Sequence, residues 1–319
     1  MSKVLVTGAN GLIGSYFIKW LLKEDPAVQI VGFSRKSSQQ NEKRLDEVKD
    51  NPRFQMIYGD LTDPISVSGL CEKVDIVINF AAKTFVDHSI KDDEAFWLSN
   101  VVGARNLMKD AMKYPHIKRF VQVSTDEVYG QILEGSYKED ARLDPRNPYA
   151  ATKAAADCMA LGYFHTNGFP VIITRTENNF GPWQDPQKAL PKFVKFALED
   201  KPLPVYGDGL HVRCWLYVED HCRAIWHLVN NGENGNIYHV AGEQELTNIE
   251  LAKIILRTLG KPEDMIEHID DFNIRPGHDR RYALNCEKLK STGWKPKYEL
   301  EERLEYTINW YKENSWWLI

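Results

Sequence analysis

The chain opens on an apolar run, Val4 to Thr7, which passes at once through Thr7-Gly8-Ala9-Asn10-Gly11-Leu12-Ile13-Gly14 into a helix-like stretch, Leu12 to Lys23. A strand that turns through glycines straight into a helix is the first half of a βαβ unit, and such a unit commits the chain to a parallel sheet. Short continuous apolar runs, the mark of parallel strands buried on both faces, recur at Val28 to Phe33, Phe54 to Tyr58, Ile76 to Phe80 and Phe120 to Ser124. Asn100 to Lys113 carries apolar residues at helical spacing. A further helix is expected from about Tyr149 to Asn167, and a sixth strand from Val171 to Arg175.

Residues 1–175 therefore read as an α/β, doubly wound parallel sheet of the dinucleotide-binding (Rossmann) type. After Arg175 the pattern is broken by Gly181, Pro182, Pro186, Pro191, Pro202 and Pro204. Residues 176–319 are expected to form mainly a smaller α+β substrate domain, with returns to the first domain near 215–240. Gln39 to Asp50 is polar and reads as a solvated loop and helix face.

Charge narrows the function. Across 319 residues, 40 basic and 45 acidic side chains leave a net charge of −5, which gives no electrostatic reason to bind nucleic acid or an anionic membrane surface. The apolar runs fall short of the ~20 residues of a membrane-spanning helix, and the start of the chain lacks the pattern of a signal peptide. Cys71, Cys158, Cys214, Cys222 and Cys286 are scattered and lack CxxC spacing, so neither a disulfide framework nor a metal site is expected. A cytoplasmic setting is the expectation.

Three clusters carry chemistry. In the glycine turn, Gly8 and Gly11 let backbone approach a pyrophosphate and Gly14 lets the helix pack on the sheet. Asn10, Leu12 and Ile13 complete the helix start, whose free N–H groups favour an anion. Asp60-Leu61, after the third strand, could hold adenine or cap a turn. The second strand ends in Ser34-Arg35-Lys36, with no carboxylate where NAD-binding folds hold the adenosine ribose. A hydroxyl and two cations suit a 2′-phosphate instead, so NADP is expected over NAD.

Tyr149 and Lys153 stand four apart at a helix start, on one face. An ammonium beside the phenol would lower its pKa and let tyrosine act as a base; a surface pair on an amphipathic helix accounts for the same spacing. Thr125, Asp126 and Glu127 follow the strand Phe120 to Ser124, at the end where open α/β sheets place their ligands. Successive strand residues face opposite sides, so both carboxylates serve one site only if the chain bends there, as Gly130 allows.

The segments TGANGLIG, STDEVYG, PYAATKAAAD, NNFGPWQDPQK, VYGDGLHVRCWLYVEDH and RPGHDRRY, in this order and nearly end to end, resemble the extended short-chain dehydrogenases/reductases. Within them the chain is similar to the nucleoside-diphosphate-hexose 4,6-dehydratases of the dTDP-glucose type. The resemblance implies that Tyr149, assisted by Lys153, takes the proton of the sugar 4-hydroxyl as hydride leaves C4, with Thr125 holding the 4-oxygen. It implies that Glu127 removes the C5 hydrogen and Asp126 protonates the departing 6-hydroxyl, after which hydride returns to C6. The cofactor, which Ala81 and Ala82 also contact, would be regenerated in each turnover and tightly held.

The resemblance further places Asn179 and Lys188 at the sugar and phosphates, Tyr206 at the base, and Arg213 and Arg281 at the diphosphate. It implies a homodimer. Departures from the family pattern are Lys83 for glutamate, Phe85 for histidine, Gln187 for an acidic residue, Cys214 for aspartate and Gln244 for asparagine; of these, Lys83, Gln187 and Gln244 are expected to contact the substrate. An amide at Gln187 suits an N-acetyl group at least as well as a hydroxyl, so UDP-N-acetylglucosamine is slightly favoured over dTDP-glucose or UDP-glucose. A 4-epimerase or decarboxylase would use Tyr149 and Lys153 without the Asp126 and Glu127 pair. A non-catalytic sugar-nucleotide-binding regulator is the alternative from another class.

Overall fold

The computed structural model describes residues 2–36, 39–270 and 276–319. In chain order the strands are β1 (Lys3–Thr7), β2 (Gln29–Ser34), β3 (Phe54–Tyr58), β4 (Ile76–Asn79), β5 (Arg119–Thr125), β6 (Val171–Thr176), β7 (Asn178–Phe180), β8 (Leu203–Tyr206), β9 (Val212–Tyr217), β10 (Ile237–Val240), β11 (Glu245–Thr247) and β12 (Ile266–Ile269). Seven of them form one sheet in the order β10-β6-β5-β4-β1-β2-β3. Every neighbouring pair in it is parallel.

The expected doubly wound sheet is thus present. Its apolar runs are continuous because alternate residues feed two cores. Val4 and Val6 pack with Phe17 and Ile18 on one face, while Leu5 packs with Val77, Leu107 and Phe120 on the other. The helix Leu12–Glu24 lies tight on the sheet: a side chain at Gly14 would put its Cβ 2.3 Å from the Gly8 carbonyl oxygen, which only glycine avoids. Strand order reverses between β1 and β4. The crevice that opens there, at the carboxyl ends of the strands, is where such sheets hold ligands.

Beyond β6 the chain builds a three-stranded sheet, β11-β9-β7, and a parallel pair, β12-β8. It then returns: β10 adds to the edge of the main sheet, with Ile237 opposite Ile173, and the helix Val218–Asn231 packs on Leu12–Glu24. The chain end is anchored as well. Trp317 is fully buried and its indole donates to the Gln184 carbonyl at 2.7 Å, and Trp183 packs against both Trp310 and Trp317. Among the described residues no helix is long and apolar enough to cross a membrane, and no group of three or more His, Cys, Asp or Glu could hold a metal ion.

Gln39 to Asp50 departs from its expectation. Leu45 and Val48 are in the core, and Arg44 is only 4% exposed. The Arg44 guanidinium donates to the carbonyls of Trp183 and Asn10, each at 2.9 Å, and lies over the Trp317 ring. One cation thereby ties the glycine turn to the chain end, a long-range arrangement that local polarity does not reveal.

Behind β5 and β6 the helix Pro148–Asn167 carries Asp157, whose carboxylate meets the Arg175 Nε at 3.0 Å with both side chains almost fully buried. Removing one member of a buried pair leaves the other charge uncompensated. Asp157→Ala is expected to lower the unfolding free energy by about 3–5 kcal/mol in denaturant titration. A loss below about 1 kcal/mol would show that the pair behaves like a solvent-exposed one.

Candidate active site

One cleft of about 880 Å³ runs along the crevice from the glycine turn to β8. Its cofactor end is lined by Gly8, Asn10, Gly11, Leu12, Ile13, Gly14, Ser34, Arg35, Lys36, Asp60, Leu61, Ala81 and Ala82. Its middle is lined by the expected catalytic residues Thr125, Asp126, Glu127, Tyr149 and Lys153, and its far end by Asn179, Gln187, Lys188, Tyr206 and Arg213. These residues come from distant parts of the sequence because each parallel strand ends at the same edge of the sheet.

The cofactor end fits a dinucleotide. Gly8 has φ +66°, and a Cβ there would lie 2.9 Å from the Ala81 nitrogen, so the backbone alone forms the cradle. Beside it the end of β2 is less basic than expected. The Ser34 hydroxyl donates to Asn10 Oδ1, and the Arg35 guanidinium lies 3.9 Å from the Asp60 carboxylate. The Asn10 amide reaches Glu42 Oε1 at 3.3 Å, and the Tyr58 hydroxyl donates to Glu42 Oε2 at 2.6 Å. A carboxylate therefore does stand beside the end of β2, contributed by the short helix Gln39–Glu42 rather than by the strand itself.

At the centre, the bend required of the sequence after β5 is a 3₁₀ turn, Asp126–Tyr129, closed by Gly130 at φ +74°. Thr125 caps it. The Thr125 hydroxyl donates to Asp126 Oδ1 at 2.9 Å and is hydrogen-bonded to the Tyr149 phenol. On the other side of the turn Glu127 Oε2 accepts from the Asn147 amide at 3.0 Å. Asn147 also caps the helix that carries Tyr149 and Lys153, its Oδ1 accepting from the Ala150 N–H at 2.8 Å.

The two carboxyls have unequal surroundings. Burial, then the neighbouring Glu127 charge, push Asp126 up to about 7, although the Thr125 hydrogen bond and Arg213 pull it back. Glu127 is half-buried and has the amide donor. Burial, then the charge of Glu127, also hold the Tyr149 phenol well above its ordinary value, and burial lowers Lys153 to about 8. The expected depression of Tyr149 by Lys153 is therefore not in place. The Lys153 ammonium donates instead to the Val123 carbonyl at 2.6 Å.

At the far end, Asn179 is oriented by His221, whose Nδ1 lies 2.9 Å from Asn179 Oδ1; burial keeps that imidazole neutral, with its pKa down at about 3. Lys188 donates to the Thr84 carbonyl at 3.0 Å and lies 4.0 Å from the Phe85 ring centre. Phe85, the departure from histidine, thus serves as its cation–π partner. Arg213 stacks over Tyr282 and bonds the Asp279 carbonyl and His278 Nε2, each at 3.0 Å.

Three expected ligand residues lie off the cleft. Arg281 is taken up by Glu245, at 2.6 and 2.9 Å, and by the Gly135 carbonyl. Gln244 lines a separate groove with Leu246, Glu250 and Lys253. Lys83 lies over the Phe96 ring, and its backbone is held by Asn100. The sequence reading also missed members of the site. Asn147 announces itself as the residue before Pro148 at a helix start. Glu177, which follows β6 as Asp126 follows β5, lines the same cleft.

Comparison with known proteins adds the family. The model for GDP-mannose 4,6 dehydratase matches residues 5–307. The chain is 43% identical over 310 residues to the low-salt glycan biosynthesis protein Agl12 of Haloferax volcanii, covering 97% of this chain and 98% of that one. It is 41% identical to a dTDP-glucose 4,6-dehydratase of Actinoplanes sp., with 99% of each chain covered. Among solved structures, dTDP-glucose 4,6-dehydratase DesIV of Streptomyces venezuelae, with NAD bound, superposes with a TM-score of 0.94 at 39% identity, covering 99% of this chain and 98% of that one.

The raised Asp126 has a consequence for stability. Its folded pKa, about 7, lies above the ~3.9 of an unfolded aspartate, so the folded state holds the proton more tightly. Stability is therefore lost as pH rises from about 4 to 7. Asp126→Asn, which cannot ionise, is expected to leave stability unchanged at pH 4. It should raise stability increasingly up to pH 7, by about 2–4 kcal/mol, with no further gain above. Denaturant titrations across that range that give a gain independent of pH would contradict the assignment.

Proposed function

Because the chain belongs to the GDP-mannose 4,6-dehydratase family of the extended short-chain dehydrogenases/reductases, and is a sugar-nucleotide 4,6-dehydratase, we propose that its substrate is dTDP-glucose and its recycled cofactor NAD. The observation that carries the reading is the cluster in which Thr125 links Tyr149 to Asp126 while Glu127 stands on the other side of the same turn. A 4-epimerase or a decarboxylase needs the Tyr149 end of this cluster and has no use for its two carboxyls.

When bound, the nicotinamide would accept the C4 hydride in its oxidised form and give it to C6 once reduced, and its oxidised, positive ring would favour a phenolate. The Tyr149 phenol begins protonated, held so by burial and by the nearby carboxylates. Its conversion to the base relies on the cationic charge of Lys153, kept by Asp157 one helical turn on. Thr125 holds the 4-oxygen. The ketone at C4 acidifies the C5 hydrogen, which Glu127 takes, while Asp126 passes its proton to the 6-oxygen and water leaves; Glu127 gives a proton back to C5 as hydride reaches C6, and the proton gained by Tyr149 balances the one lost by Asp126. The unequal surroundings of Asp126 and Glu127 suit an acid and a base respectively.

Two finer expectations are revised. UDP-N-acetylglucosamine rested on Gln187, which is exposed at the rim and does not define a buried pocket for an acetyl group; the dehydratase relatives named above point to dTDP-glucose. NADP rested on a β2 end without a carboxylate. What favours NAD is the Glu42 carboxylate beside Asn10, which would repel a 2′-phosphate, and the pairing of Arg35 with Asp60. NAD in the DesIV structure supports the same choice. A homodimer is part of this proposal, supported by Ile90, Trp97 and Leu98, which are exposed on consecutive helices between Val86 and Val102.

Incubation with dTDP-glucose is expected to give a product lighter by one water, at a kcat/KM at least tenfold above that for UDP-N-acetylglucosamine. Release of the bound cofactor should yield NAD. Preference for the N-acetylated sugar, or recovery of NADP, would refute the corresponding assignment. For the roles, Tyr149→Phe should abolish the reduced-cofactor absorbance on adding substrate. Glu127→Gln should still oxidise C4 but lose at least ~10²-fold in product formation, and normal turnover of that variant would displace Glu127 as the base.

A further inference from the structure

Arg44 lines the cleft beside the glycine turn, and no step of the reaction described above uses it. It comes from the 3₁₀ turn Lys43–Leu45, directly after the helix Gln39–Glu42. Its guanidinium is fixed from three sides. Nε donates to the Trp183 carbonyl and Nη1 to the Asn10 carbonyl, each at 2.9 Å, and Nη1 also donates to Asn41 Oδ1 at 2.6 Å, while the Trp317 ring centre lies 4.7 Å from the guanidinium carbon. Trp183 stands in the left-handed region at φ +69°, a conformation that a tryptophan keeps only where its surroundings impose it. The carbonyl that anchors Nε is therefore itself held in place at a cost.

Every one of these partners is neutral. Among the described residues no carboxylate lies within ion-pair distance of Arg44, and its Nη2 donates to none of them. Asp185 acts on it only through space, and Lys19, whose ammonium lies over the same Trp183 ring, faces Glu47 at 3.9 Å. Burial brings the Arg44 pKa down to about 10, with the charge of Asp185 pulling the other way, so the guanidinium keeps its proton at neutral pH. Its hydrogen bonds hold it in place while its charge has no counterpart. A cation taken out of water in this way favours the arrival of an anion, above all one that can accept from the nitrogen still unused.

The contacts of Arg44 also say which part of the cleft that anion occupies. The Asn10 carbonyl that holds Nη1 belongs to the peptide just before Gly11, where the helix Leu12–Glu24 begins with no side-chain cap and no acidic residue in its first turn. A helix start of this kind, entered through glycines, seats the diphosphate of a dinucleotide. Arg35, a cation that the sequence offered to the cofactor, is by contrast exposed and faces Asp60.

We propose that Arg44 is a binding residue for the cofactor's diphosphate, its Nη2 donating to a phosphate oxygen at the start of the helix Leu12–Glu24 while Asn10, Asn41 and Trp183 fix the plane of the guanidinium. The proposal rests on the dinucleotide cofactor and not on which sugar is dehydrated. Charge is then divided along the cofactor end: a carboxylate, Glu42, stands beside the end of β2, and a buried cation stands at the diphosphate.

Equilibrium dialysis of the protein with its labelled dinucleotide, displaced by ADP or by adenosine, isolates the contribution of the phosphates. In Arg44→Gln, which keeps an amide donor and loses the charge, the dissociation constant of ADP is expected to rise about tenfold or more, and that of adenosine by less than about twofold. Should this variant not fold, Arg44→Met, which keeps an apolar stem against Trp317, gives the same comparison. A residue that only braces Trp183 and Asn10 would weaken both ligands alike; that result overturns the proposal, as does an unchanged ADP affinity.

A second pair of ligands separates the two diphosphates that share the cleft. Binding of dTDP relative to thymidine should keep its wild-type ratio in the same variants. A loss confined to dTDP would place the cation at the sugar nucleotide and overturn its assignment to the cofactor. Recovery of NADP from the protein, or dehydration of a different nucleotide hexose, would refute the finer reading given above and leave the comparison of ADP with adenosine standing.

Discussion

Charge taken out of water at the carboxyl ends of β5 and β6 is the constraint on which the rest of this molecule depends. A parallel sheet covered on both faces desolvates whatever its strands carry, and these two strands carry or face Asp126, Lys153, Asp157, Arg175 and Glu177, each no more than 4% exposed. Every one has to be paired, hydrogen-bonded or neutral. Asp157 and Arg175 pair, Lys153 is bonded to the Val123 carbonyl, and Asp126 is held by Thr125 with its pKa raised by burial. The same dryness that makes the region costly to fold gives the neighbouring carboxyls, Asp126 and Glu127, unequal surroundings, on which the proposed acid and base roles rest.

Much of this was legible in the sequence, for reasons that can be named. The glycine turn at Gly8 to Gly14, the continuous apolar strands and the helical spacing of Tyr149 and Lys153 are local signals, and the sheet places their products at one edge. Where the reading fell short, the cause was long-range contact. Gln39 to Asp50 is polar along the chain, yet Arg44 finds partners at Asn10, Trp183 and Trp317 that make its burial favourable. Lys153 is correctly spaced to assist Tyr149, but spacing along a helix cannot say that its ammonium will meet the Val123 carbonyl. Arg281 matched a family position and still is not among the residues that line the cleft, and Glu245 on β11 captures it. Glu177 was readable by the rule that drew attention to Asp126, since both follow a strand at its carboxyl end.

The proposed cofactor and substrate selectivity follow the same logic of what lies beside a residue rather than what precedes it. The missing acidic residue at the end of β2 has a spatial counterpart in Glu42, tied to Asn10 and Tyr58, and the proposal of NAD rests on it. Likewise Gln187 supports an N-acetyl group only if it faces a closed pocket, and it lies at the rim.

The central claim is that one cleft oxidises C4, eliminates water across C5 and C6, and returns the same hydride to C6. The most direct measurement uses dTDP-glucose carrying deuterium at C4. The product is expected to be lighter by one water, to have a ketone at C4, and to hold the deuterium on C6. A product of unchanged mass with the C4 configuration inverted and deuterium still on C4, or a dehydrated product from which the label has been lost to solvent, would contradict it.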